Sequence, residues 1–322
     1  MRAPSANLKR TAKLLLALGL LSAVGACRLT IDESTVFRPQ PRDDAAYNGQ
    51  NGLEFLEHVF TAPSSITITS NVEGERSVVE RAQEDFVPAR VTNGFIAAGG
   101  ERVAYTLVER DDPSRPFIVH CGGNASDRYN SGVDYALETT PFGDVMLFDY
   151  PGYGDSTGAP SAASFEAMAA PVIEFALARA ENRPLVFWGH SLGGFVCARL
   201  AAQTPGADGL ILEASARNAE EVAHAWTPWY ARPFMHIDVA PTLASYDNAA
   251  AAAAFGKSVL ILGAGKDGIL PVELARALAE AVEEKGGAAT YVELANANHI
   301  NIGQQPGFKP AVSAYFASIE DQ

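Results

Sequence analysis

One short motif restricts the fold of this chain more than any other feature: Gly-x-Ser-x-Gly at residues 189–193. The apolar run Leu185–Trp188 before it predicts a buried strand, and Gly193–Ala202 after it predicts a helix. So tight a turn between a strand and a helix forces Ser191 into a strained backbone and leaves its hydroxyl at the top of the sheet. The motif therefore predicts a nucleophilic serine on an α/β scaffold, the alternative being a purely structural turn.

The rest of the chain alternates short apolar runs with longer helical patterns, which is typical of βαβ units and a mostly parallel sheet. Buried strands are predicted at Phe117–His120, Val145–Asp149, Leu185–Trp188, Leu210–Leu212, Val259–Leu262 and Thr290–Leu294. Antiparallel opening strands are predicted at Ser65–Thr69, Val91–Ala97 and Val103–Glu109, and helices at Ala162–Ala180, Gly193–Ala202, Val272–Lys285 and Pro310–Ile319. The sequence thus predicts one α/β domain over residues 51–322.

A serine needs a general base, and the base needs an acid that orients it. Asp267 follows the predicted strand Val259–Leu262, and His299 follows Thr290–Leu294. Because α/β folds keep their sites at the carboxyl ends of parallel strands, these two residues and Ser191 are the predicted catalytic triad.

Three other polar residues receive different interpretations. Glu213 ends a predicted strand and is the alternative orienting acid. His190 lies inside the turn next to Ser191, so we expect it to serve in packing or local hydrogen bonding. Asp149 is expected to hold a loop beneath the site.

Acyl transfer also needs N–H donors for the developing oxyanion. One predicted donor is the amide of Leu192, directly after the nucleophile. The second is the amide of Gly123 or Asn124, in the loop after Phe117–His120, because glycine lets the backbone approach a ligand closely. The alternative for this loop is an ordinary glycine turn.

Residues 216–256 break the alternation and are predicted to form a small helical cap over the carboxyl edge of the sheet. The aromatic residues Trp226, Trp229, Tyr230 and Phe234 lie within it. They predict either an acyl-binding pocket or a cap that packs its aromatic side chains onto the main domain.

The amino terminus has the pattern of a secretory signal. Basic residues precede the apolar run Leu14–Ala26, which is too short to span a bilayer as a helix. Residues 24–27, Val-Gly-Ala-Cys, resemble a bacterial lipobox. We expect residues 1–27 to be the signal, with Cys27 lipidated, and residues 28–50 to be a tether; ordinary signal cleavage is the alternative. The protein is then exported and lipid-anchored to the bacterial cell envelope, at the outer membrane in a Gram-negative cell because Arg28 follows the cysteine.

Charge and cysteine content exclude several functions. The net charge is −14, and it becomes −18 when the signal takes away its four basic side chains and no acids. So acidic a chain is not expected to bind nucleic acid. No spacing of His, Cys and Asp suggests a metal, and no cofactor is predicted. Cys121 and Cys197 are expected to be buried free thiols, with a disulfide as the alternative.

These segments together resemble the α/β-hydrolase superfamily and its bacterial serine hydrolases, over about residues 90–320. The likeness rests on residues 120–125 (His-Cys-Gly-Gly-Asn-Ala), 149–156 (Asp-Tyr-Pro-Gly-Tyr-Gly-Asp-Ser) and 189–194 (Gly-His-Ser-Leu-Gly-Gly). Cys121 departs from the pattern, since many members pass directly from His to Gly.

The resemblance implies a mostly parallel eight-stranded sheet with helices on both faces. It also implies metal-independent hydrolysis of a small acyl ester, thioester or amide through an acyl-enzyme. The competing function is a non-catalytic surface lipoprotein that kept the fold and binds a ligand or a partner.

Overall fold

The computed structural model describes residues 27–40, 51–66, 73–84, 87–110 and 112–320 of the chain. The strands are β1 (Cys27–Ile31), β2 (Arg90–Ala98), β3 (Glu101–Glu109), β4 (Phe117–Cys121), β5 (Asp144–Phe148), β6 (Leu185–His190), β7 (Gly209–Glu213), β8 (Met235–Val239), β9 (Ser258–Ala264) and β10 (Ala288–Leu294). The α-helices are α1 (Glu33–Val36), α2 (Gly52–Thr61), α3 (Glu73–Glu84), α4 (Gly132–Thr139), α5 (Ala162–Ala180), α6 (Leu192–Ala202), α7 (Ala219–Trp226), α8 (Pro241–Ala244), α9 (Asn248–Phe255), α10 (Val272–Glu284) and α11 (Phe308–Glu320). Short 3₁₀ helices lie at Pro63–Ser65, Arg232–Phe234 and Ile302–Gln304.

The central sheet has eight strands in the order β10-β9-β7-β6-β4-β5-β3-β2. Strand β3 pairs antiparallel with β2 and β5, and the other neighbours are parallel. Every residue of β4, β5, β6 and β7 is buried. One hydrophobic core packs α5, α6, α9 and α10 onto one face, and a second packs α2, α4 and α11 onto the other. This burial on both faces explains the continuous apolar runs in the sequence and confirms the predicted fold class.

The opening strands are partly as predicted. The hairpin of β2 and β3 turns at Gly99 and Gly100, whose φ angles are +60° and +93°. The predicted strand Ser65–Thr69 is wrong where it is described, because Pro63–Ser65 form a 3₁₀ turn and Ser65 is its last residue. Proline suits the first turn of a helix, since its fixed φ is helical and it lacks an N–H. Residues 67–69 lie outside the described residues.

Residues 28–40 are not the tether that the sequence predicts. Strand β1 pairs in parallel with β8, with Cys27 opposite Met235. Farther along, Phe37 is buried, and its ring stacks on Phe165 with centroids 4.8 Å apart. The polar, proline-containing composition of residues 28–40 gives no local signal for these long-range contacts. The predicted signal residues 1–26, and residues 41–50, lie outside the described residues. Among the described residues, no helix is both long and apolar enough to cross a membrane.

The predicted cap, residues 216–256, divides into two parts. Its last part, α9, is the crossover helix between β7 and β9; Ala249 and Ala252 are fully buried in the sheet core. Alanine side chains let this helix approach its neighbours closely. The part that stands over the carboxyl edge is therefore shorter than predicted and contains α7, a 3₁₀ turn, β8 and α8.

Cys121 and Cys197 form a disulfide, so the prediction that they are free thiols is wrong. Cys121 ends β4 and Cys197 lies in α6, with Cα atoms 5.9 Å apart. Helix α6 approaches the strand closely because Gly193 has no side chain; a Cβ there would lie 1.9 Å from the Cys121 carbonyl oxygen. Cys121 is also the last residue of the strand rather than an insertion in the loop.

Candidate active site

Ser191 lies at the sharp turn between β6 and α6, as the motif predicts. Its φ and ψ are +55° and −117°, a conformation that side-chain-bearing residues rarely adopt. The surrounding structure holds it there: the Ser191 amide donates to the Glu213 carbonyl oxygen at 2.8 Å, and Ser215 Oγ donates to the Ser191 carbonyl oxygen at 2.9 Å. Gly189 is also required, since a Cβ at that position would lie 2.2 Å from the Gly193 carbonyl oxygen.

Asp267 and His299 meet at the carboxyl ends of adjacent strands. Asp267 follows β9 and His299 follows β10, and Asp267 Oδ2 lies 2.7 Å from His299 Nδ1. The other carboxylate oxygen of Asp267 accepts the amides of Ile269 and Leu270, both at 2.8 Å. The acid is thereby fixed from two sides, and the pairing at Nδ1 leaves Nε2 of His299 available for a substrate or a nucleophile.

Ser191 and His299 line the same cavity. Within the described part of the chain, no hydrogen bond joins the Ser191 hydroxyl to His299. Such contacts are often long in unliganded enzymes and tighten in the substrate complex. The geometry therefore brings the three predicted residues to one edge of the sheet, with the acid–base pair already formed.

His190 supports its neighbours, in agreement with its sequence interpretation. Its Nε2–H donates to the His299 carbonyl oxygen at 2.8 Å, and its Nδ1 accepts from the Tyr135 hydroxyl at 3.2 Å. Burial lowers the pKa of His190 below its usual value, which keeps the ring neutral and this tautomer in place. Burial raises the pKa of Tyr135 to about 12, so its hydroxyl remains a donor.

The loop after β4 presents backbone groups to the cavity. The Gly123 amide donates to the Tyr135 hydroxyl oxygen at 3.1 Å, so that donor is already used. No hydrogen bond among the described residues uses the backbone N–H of Leu192 or Asn124, although the side-chain amide of Asn124 donates to the Val36 carbonyl oxygen. Leu192 begins α6, where the first amides of a helix have no partner within it. Of the predicted oxyanion donors, the backbone N–H groups of Leu192 and Asn124 therefore have no partner among the described residues, whereas that of Gly123 is engaged by Tyr135.

Asp149 holds two loops together beneath this site. Its carboxylate accepts from the backbone amide and the Nε of Arg128, both at 2.8 Å, and from the Asp155 amide at 3.1 Å. Burial raises the pKa of Asp149, and the Arg128 guanidinium opposes that shift. This arrangement agrees with the structural role that the sequence suggests.

Among the described residues, no hydrogen bond joins Glu213, the alternative acid, to His299. Its Oε2 accepts from Trp188 Nε1 at 3.1 Å, and its carboxyl group hydrogen-bonds to that of Glu138. Burial and the neighbouring Glu213 raise the pKa of Glu138 well above its usual value. Tyr135 and Glu138 were not predicted from the sequence; their three-residue spacing within α4 was the available signal.

The cavity has a volume of about 1030 Å³, the upper end of the range for small-molecule sites. Of the four predicted pocket aromatics, only Trp226 lines it. Trp229, Tyr230 and Phe234 are 78%, 64% and 45% exposed and lie outside its wall, which corrects the prediction. The apolar wall comes from three places: the amino-terminal segment, the main domain and the cap helix α8, through Ile31, Val36, Phe37, Phe165, Phe195, Val196 and Leu243.

Among the described residues, no group of three or more His, Cys, Asp or Glu side chains could hold a metal ion.

Comparison with known proteins agrees with this architecture. A family model for the alpha/beta hydrolase fold matches residues 116–236. An uncharacterised protein of Mycobacterium tuberculosis is 31% identical over 174 residues, covering 53% of this chain and 59% of that protein. The lysophosphatidylserine lipase ABHD12 of Bos taurus is 34% identical over 183 residues, covering 51% of this chain and 45% of the lipase. The chain therefore spans about half the length of the curated relatives it matches.

Solved structures show the same fold at low sequence identity. An esterase of Pyrococcus furiosus, Pf2001, has a TM-score of 0.54 at 12% identity and covers 79% of this chain and 95% of its own. A hydrolase of Pseudomonas aeruginosa has a TM-score of 0.52 at 20% identity and covers 70% and 98%. The sheet order, the matched segment and these structures show that this chain has the α/β-hydrolase fold.

Proposed function

We propose that this protein is a serine hydrolase that cleaves carboxylic esters carrying one long apolar chain. The observation that carries the proposal is that Ser191 and His299 line one large, apolar-walled cavity. Ser191 has a strained backbone, and His299 is paired with Asp267 at 2.7 Å. A structural turn would not require that combination.

The proposed mechanism uses only groups of this chain. His299 Nε2 takes the proton of the Ser191 hydroxyl, and the serine oxygen attacks the acyl carbon. The amides of Leu192 and Asn124 stabilise the oxyanion, and His299 then protonates the leaving alcohol. Water repeats these steps on the acyl-enzyme and releases the acid. Asp267 orients the imidazole and stabilises its protonated form.

The proposed substrate class rests on the cavity wall. The lining combines many apolar side chains with polar groups such as Asn130 and Ser131. A single-chain amphiphile, with an apolar acyl group and a polar alcohol, matches that composition. The relatives named lysophosphatidylserine lipases support a monoacyl lipid as the first class to test.

The test is covalent labelling with a fluorophosphonate, followed by an ester, thioester and amide panel. Ser191→Ala should abolish labelling and turnover. Ser126→Ala is the matched control, since Ser126 lines the same cavity away from the nucleophile turn, and it should keep labelling. Absence of labelling in the unsubstituted protein between about pH 6 and 9 would favour the non-catalytic binding protein.

We also propose that the protein is exported and lipid-anchored through Cys27, on the lipobox-like residues 24–27. Metabolic labelling with an alkyne fatty acid should tag the protein, and Cys27→Ala should remove the tag. Labelling that survives this substitution would contradict the anchor.

A further inference from the structure

Exposed apolar side chains gather around the cavity mouth and the adjoining cap. Nine large apolar residues are exposed among the described residues, and six of them belong to this region. We call these six the aromatic face: Trp226, Trp229, Tyr230, Phe234, Ile269 and Ile300. Three of them, Trp226, Ile269 and Ile300, also line the cavity. A concentration of this kind marks an interaction surface, whereas single exposed apolar residues do not.

Local contacts hold the aromatic face in place. Trp226 Nε1 donates to the Ile269 carbonyl oxygen at 2.6 Å, which joins the cap to the loop after β9. The rings of Trp229 and Tyr230 meet edge to face, with centroids 6.0 Å apart. The Phe234 amide donates to the Ala231 carbonyl oxygen at 2.9 Å. The side chains are therefore presented outward by ordered backbone.

The amino-terminal part of the chain enters the described structure at this same face. The apolar run Leu14–Ala26 ends immediately before Cys27, the first residue of β1. Cys27 is the register partner of Met235, the residue after Phe234. The apolar run, or a lipid on Cys27, is thus covalently attached within one strand spacing of the aromatic face.

We propose that the aromatic face rests on a lipid bilayer and that the cavity receives its lipid directly from that bilayer. Tryptophan and tyrosine favour the membrane–water interface, because each has an apolar ring and a polar atom. The nearby Arg28 is already paired with Asp238 at 2.8 Å, and the chain carries a net charge of −14. The surface therefore fits a zwitterionic bilayer better than a strongly anionic one.

The first experiment tests contact with lipid and does not depend on hydrolysis. The chain has three tryptophans, of which Trp188 is fully buried and serves as an internal reference. The full chain with Ser191→Ala is reconstituted into phosphatidylcholine vesicles that contain a brominated phosphatidylcholine. We expect the brominated lipid to quench part of the tryptophan emission, and W226F/W229F to remove that quenched part. Equal quenching with and without the double substitution would overturn the proposal.

The second experiment tests delivery of substrate and depends on the proposed hydrolase activity. The variant W229S/Y230S/F234S changes three residues that lie outside the cavity wall. The matched control is F95S/L177S, at exposed positions on β2 and α5. We expect the triple variant to lose about tenfold or more in rate on a monoacyl ester embedded in phosphatidylcholine vesicles, and to keep its rate on a short soluble p-nitrophenyl ester. The control should keep both rates.

Three outcomes of the second experiment would contradict the proposal that the aromatic face delivers lipid from a bilayer. Unchanged rates on both substrates would show that the face does not take part in delivery. Equal losses on both substrates would show that the face acts on hydrolysis itself and not on delivery from a bilayer. A dimer that the triple substitution dissociates would show that a second copy covers the face. A protein that shows lipid quenching but hydrolyses no ester would retain the bilayer contact and refute only the proposed activity.

Discussion

The carboxyl edge of the sheet and the cap above it are built in opposite ways. At the edge, Ser191 and His299 are buried, and their backbones are hydrogen-bonded to Glu213 and His190, the last residues of the buried strands β7 and β6. In the cap, β8 pairs only with β1 among the described strands, and no residue of β8 is fully buried. A two-stranded sheet alone is marginally stable in water. The comparison indicates that the buried sheet edge fixes Ser191 and His299 in place, whereas the cap and the amino-terminal segment contribute exposed or half-buried parts of the cavity wall.

The largest effect on activity is expected from substitutions of the residues at the sheet edge. Ser191→Ala or His299→Ala should lower kcat for an acyl ester by roughly 10⁴-fold or more, because the nucleophile and its base act as a unit. Steady-state kinetics measure it. His224→Ala in the cap is the control, since this histidine is largely exposed, and it should change kcat little. A triad variant with nearly full activity contradicts the assignment.

Asp267→Asn should lower kcat by about 10⁴-fold without displacing the imidazole, because the amide favours the wrong tautomer of His299. Glu213→Gln is the matched comparison, since Glu213 bonds Trp188 and Glu138 instead. Its kcat should fall far less. The reverse ranking in the same ester assay would make Glu213 the orienting acid.

The double variant C121S/C197S should lower the free energy of unfolding by about 2–5 kcal/mol, because the crosslink closes a loop between residues 76 apart in sequence. Urea unfolding with and without a reductant measures it. The reductant should destabilise the unsubstituted protein and leave the double variant unchanged. Equal stability of the oxidised protein and the double variant would contradict this role.

The buried His120 should make the sheet edge sensitive to acid. Burial lowers its pKa to about 3, and neither ring nitrogen has a hydrogen-bond partner among the described residues. Below about pH 6.5 the unfolded chain binds a proton that the folded chain does not, so stability falls as pH drops from 6.5 towards 3.

His120→Phe should remove this acid-induced loss of stability. The free energy of unfolding, measured with urea, should then vary less between pH 7 and 5, by about 1–2 kcal/mol. His224→Phe in the exposed cap is the control and should leave the pH dependence as it is. An unchanged pH dependence in His120→Phe would show that the acid sensitivity has another source.

The smallest expected effect concerns the cavity wall. Trp229→Ala should leave the chain-length preference among soluble p-nitrophenyl esters unchanged, because Trp229 is exposed outside the cavity. Phe37→Ala should shift that preference towards longer chains, because Phe37 is buried in the wall. A shift in chain-length preference with Trp229→Ala and none with Phe37→Ala would indicate that the aromatic residues of the cap form the acyl pocket.

Local patterns were enough to predict most of the sheet domain. The strand β6, the turn at residues 189–193 and helix α6 follow from hydrophobic runs and the steric demands of one tight turn. The meeting of Asp267 and His299 was predictable for a related reason: each follows a parallel strand, and parallel strands end at one edge. The helix α4, with Tyr135 and Glu138, was not predicted, because its short amphipathic pattern gives a weak signal.

The sequence alone therefore determined the α/β domain and the order of the residues proposed for catalysis, since backbone sterics and hydrophobic periodicity act between near neighbours. Tertiary structure alone decided the Cys121–Cys197 bond, the pairing of β1 with β8, and which aromatic side chains line the cavity. These features depend on contacts between residues far apart in sequence, where packing and loop closure select among many pairings that the local pattern allows.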